Sequence, residues 1–251
     1  MKRIGLYQFS SADTKRGSYG SVIDTTLHGG FQEALRASLA GPATRDRSLL
    51  GWQAALKRTE DLVIGTLLLC FFAPALLVIA ILVKLDSKGP ILFRQPRVGR
   101  DNQLFEILKF RTMHAKHADL GAHQQTSRGD KRVTRIGAVL RRLSLDELPQ
   151  IFNVLGGSMS VVGPRPHALN TTAGGVPLET AVPAYGLRHR IKPGITGLAQ
   201  VNGYRGELSS VEKLSRRVDF DLEYIRTWSF GLDLWILAKT ARTVLGDPNA
   251  Y

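Results

Sequence analysis

The longest apolar run in the chain extends from Leu62 to Val83, 22 consecutive residues without a charged side chain. As a straight helix it would be about 33 Å long, close to the roughly 30 Å hydrocarbon core of a bilayer. It begins far from the first residue and has no small-residue cleavage pattern, so it is not a signal peptide. The run predicts a membrane helix, and the alternative is an unusually long core helix of a soluble domain.

Two features favour a helix that enters the membrane and returns to the same side. Pro74 lies near the middle of the run, where it removes a backbone hydrogen bond and predicts a kink or break. Both flanks are basic, and the positive-inside rule would place both of them in the cytoplasm. A kinked helix that crosses once remains open, because membrane helices tolerate proline. The flanking cations are Arg45, Arg47, Lys57 and Arg58 before the run, and Lys84, Lys88, Arg94, Arg97 and Arg100 after it.

The pattern outside this run divides the chain into three regions. Residues 1–50 are rich in Ser, Gly, Thr and Ala and predict a partly disordered extension with a short helix at Phe31–Leu39. Residues 51–88 hold an amphipathic lead-in helix at about 49–60 and the membrane helix at 62–83. Residues 89–251 form a third region in which helical and strand-like patterns alternate.

We expect the third region to have an α+β fold that is mostly helical with short strands. Its Thr, Gly and Pro-rich stretch from Asn170 to Pro183 predicts a surface loop. Trp228 and Trp235 place the last helix either in the core or in the membrane interface. The predicted strands are Ile91–Phe93, Phe105–Phe110 and Met159–Val162, and the predicted helices are Arg135–Arg142, Asp146–Leu155, Val211–Thr227 and Phe230–Leu245.

Composition adds a strong positive charge to this outline. The chain has 34 Lys and Arg against 21 Asp and Glu, a formal net charge of +13. Such an excess favours a polyanionic partner, which could equally be nucleic acid, an anionic membrane surface or a phosphorylated substrate. The single cysteine, Cys70, excludes an intrachain disulfide framework and a cysteine-based zinc site.

The basic residues are concentrated in short motifs instead of a continuous stripe. Arg165 lies between Pro164 and Pro166, on a stiff loop suited to fixed phosphate geometry. Lys192 precedes a Pro-Gly turn whose backbone N–H groups can face an anion. A solvated loop cation is the alternative for each. The motifs are FRQPRVG at 93–99, LKFRTM at 108–113, LRRLSLDELPQ at 140–150, VGPRP at 162–166 and RHRIKPGITG at 188–197.

Asp146 and Glu147 form an adjacent acidic pair within this cationic set. Neighbours on a helix point about 100° apart, so the two carboxylates cannot jointly enclose one small atom and would have separate roles. The alternative is a capping box, in which Ser144 caps a helix and Glu147 bonds back to it. Both interpretations can hold together, because an aspartate near Arg141 and Arg142 stays ionised and nucleophilic.

Several long motifs together resemble the bacterial sugar transferase family, the monotopic polyprenyl-phosphate phosphoglycosyl transferases. The similarity covers about residues 55–245, and its PRPHA and VNGYRGE wording is closest to members that initiate exopolysaccharide repeat units. It resembles the catalytic part of the larger members without their multi-span N-terminal domain. The motifs are LRRLSLDELPQIFNVLGGSMSVVGPRPHAL, RHRIKPGITGLAQVNGYRGE, FDLEYIRTWSFGLDLWILAKT, GPILFRQPRVG and LKFRTM.

This resemblance implies a two-step transfer of a hexose-1-phosphate, glucose or galactose, at the cytoplasmic face of the bacterial inner membrane. Asp146 would attack the β-phosphorus of a UDP-sugar, release UMP and form a sugar-phosphoryl aspartate, from which undecaprenyl phosphate takes the sugar phosphate. Glu147 would hold Mg²⁺. Family members break their membrane helix near the position of Pro74, which favours the re-entrant path and a monotopic protein with interfacial amphipathic helices. Residues 89–251 would then be the catalytic domain.

The resemblance also implies the binding residues and partners. Arg141 and Arg165 would bind substrate phosphates, with Lys109, Arg111 and Lys192 as further candidates. His167 and His189 could either contact substrate or hydrogen-bond locally, and we favour local hydrogen bonds. The expected partners are the UDP-sugar, undecaprenyl phosphate, inner membrane lipids and polysaccharide assembly proteins. Nucleic acid is not expected, because the aromatic residues do not interleave with Lys and Arg. The alternative function is a catalytically idle membrane scaffold of a polysaccharide assembly complex.

Overall fold

The computed structural model describes residue 49, residues 51–114 and residues 130–246. The predicted N-terminal extension, apart from residue 49, and its helix Phe31–Leu39 lie outside the described residues. The described part is mainly helical with short strands, as predicted. Its helices are α1 (Gly51–Asp86), α2 (Arg135–Arg142), α3 (Gln150–Leu155), α4 (Leu178–Ala181), α5 (Leu198–Val201), α6 (Val211–Thr227) and α7 (Phe230–Gly246), and its strands are β1 (Leu92–Val98), β2 (Leu104–Phe110), β3 (Ser160–Val162), β4 (Thr172–Ala173), β5 (Val176–Pro177) and β6 (Gly194–Thr196).

Helix α1 joins the predicted lead-in and the apolar run into 36 residues that stay helical through Pro74. By length and composition it could cross a membrane, yet only 11% of its most apolar 18-residue window is buried inside the protein. A core helix of a soluble domain would be mostly buried, so this exposure argues against that alternative. The backbone stays helical at Pro74, so the expected break is not observed, and the re-entrant path stays a prediction.

One stripe of α1 packs against the rest of the protein near both ends of the helix. Gly65 lies against the side chains of Val154 and Leu155. Further along, Ile79 and Val83 share a core cluster with residues of β2 and α2. Because 3.6 residues make one turn, these positions fall on one face of the helix. The opposite face is exposed and apolar, with Leu67, Phe71, Leu77 and Leu85.

The N-terminal part of α1 is held by a buried group of charged side chains, the helix-base cluster, consisting of Lys57, Glu60, Asp61 and Asp233. The Lys57 ammonium lies 2.7 Å from the Asp233 carboxylate and 3.1 Å from that of Asp61. Asp61 also accepts hydrogen bonds from the Val161 N–H at 2.9 Å and from a strand hydroxyl. These contacts tie α1 to β3 and α7.

The C-terminal end of α1 is held by Arg111. Its buried guanidinium donates to the carbonyl oxygens of Val83 at 3.1 Å and Ser87 at 2.6 Å, and to that of Pro90. Carbonyl groups at a helix C-terminus have no partner within the helix, so a buried cation there satisfies them. Both ends of the apolar run are therefore fixed to the same body of protein.

The strands place the basic motifs at 162–166 and 188–197 next to each other. Strands β1 and β2 form an antiparallel hairpin with Leu92 opposite Phe110 and Val98 opposite Leu104. Strands β3 and β6 pair in parallel. Just beyond β3, the backbone of Gly163 lies very close to that of Gly194. A Cβ added to Gly194 would be only 2.1 Å from the backbone nitrogen of Gly163, so this approach requires that Gly194 has no side chain. This approach brings the loop after β3 against the turn before β6.

The segment predicted as a surface loop, Asn170–Pro183, is instead structured. It forms a small antiparallel hairpin of β4 and β5 followed by α4. Ala173 and Leu178 are 0% and 2% exposed and join a core cluster with residues of α6. The prediction was wrong because the Thr, Gly and Pro content obscured a few apolar residues that are too short a pattern to show periodicity.

The remaining helix predictions were mostly correct. Helices α2 and α6 begin and end at the predicted residues, and α7 ends one residue later than predicted. The helix predicted over Asp146–Leu155 is divided into a 3-10 turn at Leu145–Glu147 and α3. Pro149 precedes α3 and cannot donate a backbone hydrogen bond, which separates the two pieces.

Candidate active site

The acidic pair lies on a turn whose backbone is fixed on both sides. After α2 ends, Ser144 adopts a left-handed conformation with φ of 56°, which reverses the chain before the 3-10 turn. Leu145 and Leu148 pack against the cluster that contains β2 and the end of α1. The Ser144 side chain makes no capping hydrogen bond, so the capping-box alternative is wrong. Asp146 and Glu147 are left for other interactions.

Glu147 is the centre of a dense ion-pair group. Its Oε1 accepts from Lys109 Nζ at 2.7 Å and from Arg165 Nη2, while its Oε2 accepts from Arg165 Nη1 at 2.9 Å. Burial alone would raise the pKa of Glu147, but Arg165 and Lys109 outweigh it and hold that pKa well below its usual range. Glu147 is therefore ionised across the physiological pH range.

Asp146 has a different environment from its neighbour. Burial and the charge of Glu147 raise the pKa of Asp146 more than Lys109, Arg141 and Arg165 lower it, and the net result is a pKa raised to about 6. Among the described residues no donor is within hydrogen-bond distance of its carboxylate, so its oxygens are free to react. At neutral pH this group is mostly ionised, more basic than an ordinary aspartate and surrounded by cations, which are the properties of a carboxylate nucleophile.

Three separate elements deliver the cations of this group, which we call the Asp146 site (Asp146, Glu147, Lys109, Arg141 and Arg165). Lys109 comes from β2, and burial lowers its pKa although Glu147 opposes this. Arg141 comes from the last turn of α2, where its Nε donates to Thr112 Oγ1 at 2.8 Å. Arg165 comes from the Pro-Arg-Pro loop after β3. The structure thus brings together four of the predicted phosphate-binding and catalytic positions around Asp146.

Two predicted phosphate-binding residues are not brought to this site. The guanidinium of Arg111 is occupied by the carbonyl groups at the end of α1, as described above. Lys192 Nζ lies near Gly157 and the guanidinium of Arg58, and burial followed by the charge of Arg58 lowers its pKa. Its backbone adjoins the Pro-Arg-Pro loop, but its side chain points to a different place. Binding of substrate phosphates at the Asp146 site by Arg111 and Lys192 has no support from these positions.

Sequence reasoning missed a buried network that positions Arg165. Arg188 is 2% exposed, pairs with Asp221 at 2.7 Å and donates to the backbone carbonyl of Arg165 at 2.7 Å. His167 lies within hydrogen-bond distance of Arg188 and Arg217, and burial and these two charges hold its pKa well below the usual value. His167 therefore hydrogen-bonds locally, as predicted.

The sequence did contain an indication of this network. On α6, Leu214, Val218 and Ile225 form a buried stripe at helical spacing, and Asp221 lies within it. A carboxylate on the buried stripe of a helix requires a buried cationic partner. That argument could have singled out Asp221 before the structure was known. His189 is likewise internal, with Nδ1 2.7 Å from the side-chain oxygen of Asn102.

Comparison with known proteins shows which family the chain belongs to. A family model described as bacterial sugar transferase matches residues 52–247. The chain is 54% identical over 205 residues to the undecaprenyl-phosphate glucose phosphotransferase of Komagataeibacter xylinus, covering 82% of this chain and 38% of that protein. It is 50% identical over 206 residues to the UDP-glucose:undecaprenyl-phosphate glucose-1-phosphate transferase of Escherichia coli strain K12, covering 82% of this chain and 44% of that protein.

A shorter relative matches over nearly its whole length. The exopolysaccharide production protein PSS of Rhizobium leguminosarum bv. phaseoli is 46% identical over 196 residues, covering 78% of this chain and 98% of that protein. The chain spans less than half the length of the two relatives named before it. The matched region contains α1, the Asp146 site and the network behind Arg165. The chain belongs to the bacterial sugar transferase family.

Proposed function

We propose that this protein transfers glucose-1-phosphate from UDP-glucose to undecaprenyl phosphate through a covalent intermediate on Asp146. The observation that carries the proposal is the Asp146 site itself, where an ionisable carboxylate without a hydrogen-bond donor lies among three cations. The names of two relatives indicate the substrates, because both include glucose and undecaprenyl phosphate and one includes UDP-glucose. A role in initiating exopolysaccharide repeat units is supported by the name of the Rhizobium relative.

In the first step an Asp146 carboxylate oxygen forms a bond to the β-phosphorus of the donor. The bond between that phosphorus and the bridging oxygen breaks, and its electron pair stays on the oxygen, which leaves as part of UMP. Lys109 and Arg165 are placed to stabilise the charge that shifts onto the phosphate oxygens. Glu147 holds both cations in position through its short ion pairs.

In the second step a phosphate oxygen of undecaprenyl phosphate attacks the same phosphorus. The bond from phosphorus to the Asp146 oxygen breaks, the carboxylate is restored, and the sugar phosphate leaves as a lipid-linked diphosphate sugar. One site can thus serve a soluble nucleotide and a membrane lipid in turn, because the covalent intermediate keeps the sugar phosphate between the two binding events. The requirement is that the site lies at the membrane surface.

A magnesium ion at this site would need ligands from the substrate in addition to Glu147. Among residues 51–114 and 130–246, no group of three or more His, Cys, Asp or Glu side chains is arranged to hold a metal ion. Oε1 of Glu147 accepts two hydrogen bonds, whereas Oε2 accepts one and keeps an acceptor position. Glu147 Oε2 would bind Mg²⁺ with substrate phosphate oxygens completing the coordination, and the ion would neutralise charge on the diphosphate.

A titration with Mg²⁺ tests the role of Glu147 in metal binding. Glu147→Gln should lose activity and the dependence on Mg²⁺ together, because the amide oxygen is a weaker ligand for a hard cation. Glu147→Asp is the matched variant that retains a carboxylate, and it should keep a Mg²⁺ requirement. An active Glu147→Gln protein with the wild-type Mg²⁺ dependence would contradict the proposed role.

The contacts at the two ends of α1 support a re-entrant path through one leaflet. Lys57 and Asp61 fix the N-terminal side of the apolar run, and Asp86 and Arg111 fix the C-terminal side, all to the same body of protein. A helix that crossed the bilayer would carry these two ends to opposite sides, which would break one set of contacts. With basic residues on both flanks, the body of the protein would lie at the cytoplasmic face of the inner membrane.

Topology is tested by placing single cysteines on either side of the apolar run. After Cys70 is replaced by Ser, a cysteine at position 50 or at position 90 should react with a membrane-impermeant reagent in inside-out vesicles only. The two positions should behave alike in intact spheroplasts, where both are protected. Labelling of one position from each side would mean that α1 crosses the membrane.

Release of UMP by detergent-purified protein tests the reaction and identifies the sugar. The assay combines Mg²⁺, undecaprenyl phosphate and, in separate reactions, UDP-glucose, UDP-galactose and UDP-N-acetylglucosamine. UDP-glucose should give the fastest release, and Asp146→Asn should give none. Equal rates with Asp146→Asn would contradict the nucleophile, and release from another sugar alone would correct the substrate.

A further inference from the structure

Two cations converge on one glycine just after α3, outside the Asp146 site. A Cβ placed on Gly157 would lie 3.5 Å from Nη2 of Arg58 and 3.7 Å from Nζ of Lys192. Arg58 belongs to α1 and Lys192 precedes β6, so parts of the chain that are far apart in sequence supply the two charges. Gly157 has a φ of 85°, which favours glycine, and it places no side chain between them. The fold therefore holds two like charges close together at this position.

Arg58 is fixed in place by the end of α3. Its Nη1 donates to the carbonyl oxygen of Val154 at 2.7 Å, and its Nη2 donates to that of Leu155 at 2.8 Å. A cation is favoured at this end of a helix, so these bonds orient the guanidinium. A guanidinium carries more N–H groups than these two bonds use. Arg58 can therefore bind an anion without giving up its contacts with α3.

Lys192 has no acceptor of its own. Within the part of the chain that the structure describes, its Nζ makes no hydrogen bond and no ion pair. The pKa of Lys192 is lowered by burial and by the charges of Arg58 and Arg100, and Asp61 opposes them. Asp61 is itself paired with Lys57. An anion bound beside Lys192 would reduce the repulsion between these cations.

The two cations lie close to the level at which α1 would enter a bilayer. Arg58 precedes Leu62, the first residue of the apolar run, by four positions, which is about 6 Å along a helix. The headgroup layer of a bilayer extends for roughly 5 to 7 Å outside the hydrocarbon core. Trp52, in the same lead-in part of α1, is 65% exposed, as is typical of tryptophan in the membrane interface. The anions at this level of a membrane are the phosphate groups of lipids.

We propose that Arg58 and Lys192 form a binding site for the phosphate group of an anionic bilayer lipid. This inference rests on the membrane position of α1 in the proposed function and does not require the transfer reaction. Arg58 binds the phosphate oxygens through its remaining N–H groups, and Lys192 binds them through its ammonium group. The acyl chains lie against the exposed apolar residues that follow on α1, beginning with Leu62 and Val63. Both side chains are half-buried, so the site is preformed and still open to a lipid.

Native mass spectrometry of the purified chain in a neutral detergent measures this binding. Phosphatidylglycerol is titrated into the wild-type protein and Lys192→Gln, and the Kd of the first lipid is obtained from the fraction of protein that carries it. Lys192→Gln should raise this Kd about fivefold, the loss expected for one cation near a membrane surface. Phosphatidylcholine, which has a phosphate but no net charge, should bind the wild type at least about fivefold more weakly. Equal Kd values for the two lipids would overturn the proposal.

A second lysine of α1 provides the matched control. Lys84 is exposed at the other end of the helix, and Lys84→Gln should leave the Kd for phosphatidylglycerol within about twofold of the wild-type value. An equal loss of affinity in Lys84→Gln and Lys192→Gln would indicate a diffuse attraction to basic flanks and overturn the site. Lys192→Arg retains the charge and should keep the Kd within about twofold of the wild-type value.

Thermal unfolding of the same samples separates lipid binding from folding. Since Lys192 makes no hydrogen bond within the described residues, Lys192→Gln should unfold at about the same temperature as the wild type when no lipid is added. Phosphatidylglycerol should then raise the midpoint of the wild type by more than that of Lys192→Gln. A lowered midpoint without lipid, together with an unchanged Kd, would mean that Lys192 is structural and would overturn the proposal.

Inorganic phosphate distinguishes a lipid from a soluble anion. At the concentration used for the lipid it should not displace phosphatidylglycerol, because it has no acyl chains to bind beside α1. Displacement that depends on Lys192 would identify free phosphate as the occupant and overturn the assignment to a lipid.

These binding measurements contain no nucleotide sugar, so they are independent of the transfer reaction. Lipid binding that depends on Lys192 in a protein that releases no UMP from UDP-glucose would support the lipid site and contradict the proposed transfer. Transfer by a protein whose lipid affinity does not depend on Lys192 would support the proposed function and overturn the lipid site.

Discussion

The Asp146 site and the helix-base cluster use similar side chains in opposite proportions. Each places carboxylates beside a lysine, half-buried at the Asp146 site and buried in the helix-base cluster. At the Asp146 site three cations, Lys109, Arg141 and Arg165, act on two carboxylates. In the helix-base cluster Lys57 alone serves three carboxylates, those of Glu60, Asp61 and Asp233. The first has an excess of positive charge and the second an excess of negative charge.

The two groups also differ in how their oxygens are satisfied. In the helix-base cluster, Asp233 accepts from the hydroxyl of Tyr224 at 2.8 Å and the indole of Trp228 at 3.1 Å, in addition to its pair with Lys57. At the Asp146 site the Asp146 carboxylate accepts no hydrogen bond from the described residues, and the cations outnumber the carboxylates. The aspartates of the helix-base cluster accept several hydrogen bonds each and hold structure. A site with more cations than carboxylates, in which Asp146 accepts no hydrogen bond from the described residues, is suited to a phosphorylated substrate.

The largest expected effect is that of Asp146→Asn, which should reduce activity without reducing stability. Asp146→Asn keeps the shape of the side chain but removes the nucleophilic carboxylate, so kcat should fall by at least about 1,000-fold. The midpoint of thermal unfolding should stay the same or rise, because the substitution removes a buried carboxylate. Steady-state UMP release and differential scanning fluorimetry on one preparation measure both quantities. A strongly destabilised variant would mean that Asp146 is structural.

In the helix-base cluster, a substitution should reduce stability and leave activity nearly unchanged. Lys57→Met leaves the buried carboxylates of Asp61 and Asp233 without their cation, and should reduce the free energy of unfolding by about 3–5 kcal/mol. Activity per folded molecule should remain within a few-fold of wild type. Lys84→Met is the matched control, since Lys84 is an exposed lysine of the same helix, and it should cost less than about 1 kcal/mol. Equal destabilisation by both would contradict the comparison.

The pH at which transfer declines should depend on the cations around Asp146. The pKa of Asp146 is raised to about 6, so the reactive ionised form is lost as the pH falls through that value, and kcat/KM should decline on the acid side. Lys109 lowers this pKa, so Lys109→Met should move the acid limb upward by about one pH unit, besides reducing the rate. Arg94→Gln is the control, because Arg94 lies in an exposed pair with Glu106, and it should leave the limb in place. An acid limb that Lys109→Met does not move would show that another group controls it.

A smaller effect is expected at Glu60. Burial raises the pKa of Glu60 to about 8, so the folded protein holds a proton there that the unfolded chain loses at about pH 4.5. Stability should therefore fall as the pH rises from about 4.5 to about 8. Glu60→Gln should remove this decline and raise the unfolding midpoint at pH 8 by a few degrees, with little change at pH 4.5. Parallel midpoint curves for the two proteins would contradict the raised pKa.

Much of the architecture could be predicted because it rests on long periodic patterns. Helix α6 repeats its apolar positions over 17 residues, and α1 contains an uninterrupted apolar run, so both were recognised. The hairpin of β4 and β5 could not be, because its strands are two residues each and its buried positions are too few to form a pattern. Prediction from local sequence fails where elements are short and tertiary contacts decide.

The basic residues illustrate a second limit. Arg111 and Arg165 both lie in basic motifs, and only the resemblance to the family ranked Arg165 ahead of Arg111 as a phosphate-binding residue. The structure distinguishes them by their acceptors, which are helix carbonyl groups for Arg111 and the Glu147 carboxylate for Arg165. Arg97 was counted as a flanking charge and as part of the motif at 93–99, and its contacts with Gln95 and the Pro166 carbonyl become visible only when the chain is folded.

Intact-protein mass spectrometry tests the central claim most directly. Purified protein is mixed with UDP-glucose and Mg²⁺ in the absence of undecaprenyl phosphate, and the mass of the protein is measured at intervals. We expect an adduct with the mass of one hexose phosphate, formed with stoichiometric UMP, absent from Asp146→Asn and removed when undecaprenyl phosphate is added. An unmodified wild-type protein that releases UMP only in the presence of the lipid would contradict the covalent intermediate on Asp146.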